Sequence, residues 1–328
     1  MPSDQPRRIA LVTGASSGIG RTVVRHLVHD GWLVAATARR VDRLADLVTE
    51  LDQDGSISAA TIASVGSGVV TGCSAGSVLA VPMDVTSPEE VSNAFDVCAQ
   101  HWGRAPDLVV SNAGVSTPGL IADITAADVA SDILTNLLGP ALVAQRALSA
   151  WQNGGCGRLD LIFVSSDAAP HPRPFQAAYS AAKQGTEQLA AVLAMEYDHP
   201  DVRISVVRPG ATISEFASSW VSVDFERVIA TWRRWGLQQH LDALDPDVVS
   251  EAILWVANQP DGAHVPIVEV QPRPPHTHAV ADTPDRADSS PRPHDPSQHR
   301  PSQDPRRPTR PPRATRRPQD PRRTESGT

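Results

Sequence analysis

Tyr179 and Lys183 stand four residues apart in Tyr179-Ser180-Ala181-Ala182-Lys183. On a helix that spacing puts a phenol and an ammonium on one face. An unperturbed phenol ionises near pH ~10, and a neighbouring cation favours phenolate and lowers that value. A shift of ~3 units takes roughly 4 kcal/mol of differential interaction. Such a phenol can give a proton to a carbonyl oxygen or take one from an alcohol. The spacing alone is common, but composition sharpens it. Tyr179 is one of 2 tyrosines, and Lys183 is the only lysine beside 28 arginines. A chain that otherwise avoids lysine keeps one where a compact point charge, not a planar guanidinium, suits the task.

A second cluster is Thr13-Gly14-Ala15-Ser16-Ser17-Gly18-Ile19-Gly20. It lies between an apolar run, Ile9 to Val12, and a helical pattern from Thr22 to Asp30 that Gly31 ends. Gly14 permits a tight turn. Gly18 and Gly20 let backbone approach a pyrophosphate and let helix pack on strand, with the helix N-terminus facing the anion. The next apolar run, Leu33 to Thr37, leads into Ala38-Arg39-Arg40 with no carboxylate for a ribose hydroxyl. Arg39 can pair with a 2′-phosphate, which favours NADP (NADPH) over NAD as cofactor. The bland reading makes Arg39 and Arg40 solvated loop charges, and Asp42 only a helix cap. Oxidised nicotinamide would add its positive charge to that of Lys183 beside Tyr179.

These residues need a scaffold. Further short β-branched runs occur at Val78 to Met83, Leu108 to Ser111, Leu161 to Val164, Val202 to Val207 and Val265 to Val270, mostly separated by helical patterns. Alternation of this kind predicts βαβ units, hence an α/β fold with a doubly wound (Rossmann) parallel sheet and helices on both faces.

The glycine spacing, Ser111-Asn112-Ala113-Gly114, Tyr179 with Lys183, and Pro209-Gly210-Ala211-Thr212-Ile213-Ser214 follow one another in an order that resembles the short-chain dehydrogenase/reductase family. The likeness covers roughly residues 6 to 272 and favours the single-domain branch, since epimerases and dehydratases of the longer branch space their glycines as TGxxGxxG. It implies a sheet of about seven strands, and homodimers or homotetramers. It implies a dinucleotide cradled by Gly14, Ser16, Ser17, Gly18, Ile19 and Gly20. Asp84 and Val85 would meet the adenine, and Asn112, Ala113 and Gly114 would leave room for adenosine and ribose. Pro209, Gly210, Thr212 and Ser214 would meet the nicotinamide side, with Tyr179 and Lys183. Ser111 and Ser214 depart from the family's usual Asn and Thr. Ser166, 13 residues before Tyr179, would hydrogen-bond the substrate oxygen. Asn136 would hold a water linking Lys183 to solvent, although an Asn there can also simply satisfy a buried backbone group. The implied activity is interconversion of a secondary alcohol and a ketone or other carbonyl on a small molecule.

Phe216, Trp220, Phe225, Trp232 and Trp235 fall within 20 residues. They are read equally as an aromatic lid over a bulky apolar substrate and as rings that pin lid helices or form a subunit interface. His171, Arg173 and Phe175 are substrate-contact candidates. For Arg173, carboxylate binding stands against a solvated loop charge.

Composition sets outer limits. From Pro272 to Thr328 there are 14 of 29 prolines, 12 basic and 7 acidic residues, and no Leu, Ile, Phe, Trp, Tyr, Met or Cys. Such a stretch cannot bury enough apolar surface to offset ordering entropy, so a disordered tail is predicted after a domain at 1–271. The net charge of −8 therefore conceals an acidic body with 17 basic and 30 acidic residues, which argues against nucleic acid as partner. Cys73, Cys98 and Cys156 have no metal-type spacing. No metal is expected, and a reducing, cytoplasmic location without a leader is. Residues 55–76 are Ser- and Gly-rich and read as a flexible surface insertion, with a contact segment for a partner or neighbouring subunit as the sharper alternative. The uncharged stretch from Gly55 to Met83 is too interrupted by Ser, Gly and Thr to read as a membrane span. A competing function is a catalytically weak dinucleotide-binding protein that uses its basic tail for protein or nucleic-acid contacts.

Overall fold

The computed structural model describes residues 7–56, 60–62, 77–215, 220, 224–238 and 240–273. Cys73, Phe216, most of the 55–76 stretch and the tail from 274 onward lie outside the described residues. The sheet is parallel throughout, in the order β3-β4-β2-β1-β5-β6-β7-β8. Its strands are β1 Ile9–Thr13, β2 Leu33–Ala38, β3 Ala60–Ile62, β4 Val78–Pro82, β5 Leu108–Ser111, β6 Leu159–Val164, β7 Val202–Pro209 and β8 Ile267–Val270. Among the described residues the sheet thus has eight strands, one more than expected from sequence. The extra one is β3, three residues of the Ser/Gly-rich stretch, paired with β4 in the register Ala60↔Val78. Its composition hides it, but it gives backbone partners to an edge that would otherwise be open.

The sheet is covered on both faces. Helices α1 Gly18–His29, α2 Val41–Gln53 and α8 Pro246–Ala257 pack on one face, and α3 Pro88–Trp102, α5 Gly139–Gln152 and α6 Ala177–Glu196 on the other. The period-2 alternation of a strand decides the assignment: in β1, Ala10 and Val12 join the first core and Leu11 the second. Burial on both sides explains why the strands read as continuous apolar runs and not as alternating ones. Two further helices are α4 Ala126–Ile133, which packs against α6, and α7 Phe225–Arg234.

Between α4 and α5 the chain makes one π-helical turn, Leu134–Leu138. Helix periodicity gives no warning of it. Such a turn re-aims a side chain within an otherwise regular helix, and here it holds Asn136. Helix α1 starts at Gly18, four residues before the apolar pattern that announces it. Glycines carry poor helix propensity, so docking on the β1 loop and not local preference sets that start.

Candidate active site

The chain leaves β1 for β2 on one side, while β5 flanks β1 on the other. The crevice of an open α/β sheet lies at such a switch point, beyond the carboxyl ends of the strands. A cleft of about 740 Å³ occupies it, within the range of ligand and cofactor sites. Of the candidate catalytic and dinucleotide-binding residues read from sequence, all but Gly20 and Asn136 line this cleft. Those two sit directly behind its wall.

The glycine loop is fixed from β5. Asn112 donates its side-chain amide to the Thr13 carbonyl at 2.9 Å, and the Thr13 hydroxyl accepts from the amides of Asn112 and Ala113 at 2.9 Å each. That leaves no room for side chains. Gly14 has φ +69°, and a Cβ there would lie 2.8 Å from Ala113 Cα. At Gly20 a Cβ would meet Asn112 Nδ2 at 2.5 Å and collide with the Gly14 carbonyl. Gly14→Ala is therefore expected to destabilise the fold by about 1–3 kcal/mol. A urea titration checks this: an unshifted midpoint would show the loop to be loosely held.

The arginines after β2 differ from the expectation. Arg39 lines the cleft but makes no contact with the glycine loop in the described structure; its side chain is 61% exposed, 3.8 Å from Asp84. Arg40, read only as its neighbour, turns onto the glycine loop. Its Nη2 donates to Ser17 Oγ at 2.8 Å and to Ser16 Oγ at 3.0 Å, and its Nη1 meets Glu215 at 2.7 Å. Sequence could not have found this cluster, because Glu215 lies 175 positions from Arg40. Asp84 is locked by the Thr86 amide and hydroxyl, at 2.9 and 2.8 Å on Oδ1. Glycines without room for side chains, with cations and serine hydroxyls beside them, form a cradle that fits a dinucleotide phosphate.

On the other wall, α6 brings Tyr179 and Lys183 together, with Lys183 Nζ 5.8 Å from the Tyr179 ring centre. Both are buried, Lys183 to 4% exposure. The ammonium donates to the Val164 carbonyl at the end of β6 at 2.8 Å. Tyr179 is hydrogen-bonded to Ser166. Ser166 Oγ also accepts from the Ala168 amide at 3.1 Å and reaches Asp167 Oδ1 at 3.3 Å. In this protein alone the expected acidification of Tyr179 does not occur. Burial pushes the phenol above its ordinary value; the Ser166 hydrogen bond opposes it, and Asp167 and Asp132 reinforce it. Burial likewise lowers Lys183 to about 8, against the opposing pull of Glu187. Desolvation disfavours both charged forms, and sequence spacing carries no information about it.

Asn136 is fully buried. Its side-chain amide donates to the carbonyls of Val115 at 2.7 Å and Asp132 at 2.8 Å, while its backbone carbonyl accepts from Thr186 Oγ1 at 2.6 Å. Sequence reasoning missed its supports. Asp132, 1% exposed, has its carboxyl raised to about 6 by burial, against the Thr117 amide it accepts. It also missed Glu187, which accepts from Ser165 at 2.7 Å and from both forks of Arg208 at 2.7 and 2.5 Å. These bonds fix α6, and with it Tyr179 and Lys183, against β6 and β7.

Trp220, Phe225 and Trp232 line the open end of the cleft, whereas Trp235 is exposed. Trp232 lines the cleft and also packs with Phe175, Val228 and Ile229. Its indole donates to the Pro174 carbonyl at 2.8 Å. Phe175 has φ 69°. His171 is exposed and does not line the cleft. Arg173 is not a solvated charge. Its side chain is 11% exposed, paired with Asp167 at 2.5 Å, bonded to the Leu237 carbonyl and stacked over Trp232. With Asp167 beside it, its charge is already compensated.

Among the described residues no helix is long and apolar enough to cross a membrane. The model of the short chain dehydrogenase family matches residues 8–67 and 57–223. An uncharacterised oxidoreductase of Staphylococcus aureus (strain N315) is 27% identical over 267 residues, covering 81% of this chain and 97% of its own length. An alcohol dehydrogenase of the archaeon Thermococcus sibiricus, solved with 5-hydroxy-NADP, superposes with a TM-score of 0.64 at 25% identity, over 83% of this chain and 100% of that one. A short-chain dehydrogenase/reductase of Burkholderia phymatum, solved with NAD, shares the fold with a TM-score of 0.61 at 20% identity, over 76% and 85%.

Proposed function

The chain belongs to the short-chain dehydrogenase family, and on that premise we propose that this oxidoreductase uses NADP(H) to interconvert a secondary alcohol and a ketone or other carbonyl. Residues 1–271 would form the working domain, and a homodimer or homotetramer the assembly. One observation carries the reading: Tyr179, Ser166 and Lys183 stand on one wall of the cleft whose other wall is the glycine loop with Arg40. When bound, the dinucleotide supplies the hydride donor or acceptor.

The rest is done by side chains. The Tyr179 phenol, held protonated by its burial, gives its proton to the carbonyl oxygen in reduction and recovers one in oxidation. The Ser166 hydroxyl, bonded to that phenol, stabilises the charge that develops on the same oxygen. Lys183, at about 8, is close enough to neutral pH to pass protons on. Asn136, fixed by Val115, Asp132 and Thr186, is assigned the relay from Lys183 towards solvent. The aromatic wall of Trp220, Phe225 and Trp232 favours a bulky apolar substrate.

The fold carries NAD in one neighbour and an NADP derivative in another, so the loop after β2 must decide between them. Here it offers Arg39 and Arg40 and no carboxylate. Arg40→Ala is expected to weaken NADPH binding about 10- to 100-fold, as the loss of a charge-assisted hydrogen bond does. NADH binding should stay nearly constant. Titration calorimetry on both dinucleotides measures it. A wild-type preference for NADH overturns the cofactor assignment.

A further inference from the structure

We propose that Glu215 competes with the cofactor's 2′-phosphate for Arg40, and so sets how strongly this protein discriminates NADPH from NADH. The inference rests on the NADP(H) assignment above. Arg40 is the cation placed on the glycine loop, with Ser16 and Ser17 beside it. That corner already holds an anion, brought from the opposite half of the sheet. Glu215 Oε2 meets Arg40 Nη1 at 2.7 Å, and Oε1 meets Arg43 Nη2 at 3.5 Å. Each carboxylate oxygen therefore faces its own guanidinium, as two oxygens of a phosphate would.

Position makes the contact exchangeable. Both side chains are close to half exposed, at 45% for Arg40 and 43% for Glu215. Separating them demands no burial of a bare charge, and exposed pairs are weak. The segment that carries Glu215 follows β7. It also carries Ser214, whose Cβ lies 3.0 Å from where a Gly18 side chain would begin. Glu215 thus reaches the adenosine end of the cleft from the segment assigned to the nicotinamide end. The other described cations of the corner have their own partners: Arg39 faces Asp84 at 3.8 Å, and Arg21 faces Glu50 at 2.6 Å. Arg40 and Arg43 hold the Glu215 carboxylate below its ordinary value, so it stays an anion wherever the phosphate is one.

A dianionic phosphate outcompetes a single carboxylate for two guanidinium groups, but it must displace Glu215 to do so. NADH brings no such group and leaves the pair intact. Affinity for NADPH is therefore held below what the arginines alone would give.

The test uses the full chain and calorimetric affinities for NADPH, NADH, adenosine 2′,5′-bisphosphate and 5′-AMP. Glu215→Gln is expected to tighten NADPH and the bisphosphate by about threefold to fivefold, the scale of an exposed ion pair. NADH and 5′-AMP should stay within about twofold, and Glu215→Ala should behave in the same way. Suppose the wild type prefers NADPH, yet Glu215→Gln leaves that affinity unchanged or weakens it. Then Glu215 is a brace for Arg40 and the competition is overturned, while the cofactor assignment stands. A wild type without NADPH preference removes both, and that result is visible before any variant is made.

Discussion

Tyr179→Phe is expected to lower turnover by about 10² to 10⁴-fold, the range over which a positioned acid or base acts. NADPH affinity should stay within about twofold. The ring is buried, and phenylalanine keeps its packing while deleting only the hydroxyl, so loss of fold is not a competing explanation. The assay is NADPH oxidation across aliphatic, aromatic, steroid-like and acyl carbonyls, with the variant measured on the best wild-type substrate. Undiminished turnover there would remove Tyr179 from the mechanism.

The electrostatics also favour one direction. Burial keeps the phenol protonated and brings Lys183 to about 8. A protonated phenol is ready to donate, so carbonyl reduction needs no prior ionisation at neutral pH. Alcohol oxidation needs a phenolate, which the protein alone disfavours. Oxidation should therefore rise with pH further into the alkaline range than reduction does.

The placement of Tyr179, Lys183 and the glycine loop was legible in the sequence because it depends on short spacings. Four residues of helix or one turn after a strand fix the geometry wherever the element goes. The parallel sheet was legible for a related reason, since strands buried on both faces leave unbroken apolar runs. What stayed hidden was set by long-range packing. The Arg40–Glu215 contact spans 175 positions. Arg173 looked solvated until Asp167, Leu237 and Trp232 were brought around it. The π turn at Asn136 leaves no trace in apolar periodicity, and β3 lies in a stretch whose composition suggests no strand. Most instructive is the Tyr179 ionisation. Spacing gave the attractive neighbour, but the opposing burial comes from residues all along the chain, and it wins.

That balance makes Lys183→Met the other large effect: activity and stability should move in opposite directions. Turnover should fall by about 10²-fold or more as the proton path is cut. Stability at pH 7 should rise, because methionine fills similar volume without a charge to desolvate. The sign follows from linkage. The Lys183 ionisation lies near 8 in the fold against an ordinary 10.5, so between those values the unfolded chain binds more protons. Wild-type stability from this group therefore increases as pH rises through that window. Below pH 8 the penalty is fully present, roughly 3 kcal/mol for such a shift, which already includes the Glu187 attraction, before solvent relaxation reduces what is measured. The gain in melting temperature of Lys183→Met should be largest at pH 7 and close above pH 10.5, where the amine is largely neutral in the folded and the unfolded chain alike. A variant that melts lower than wild type at pH 7, with no convergence at alkaline pH, would mean that the ammonium is a net stabiliser. Its position beside Tyr179 would then cost the fold nothing.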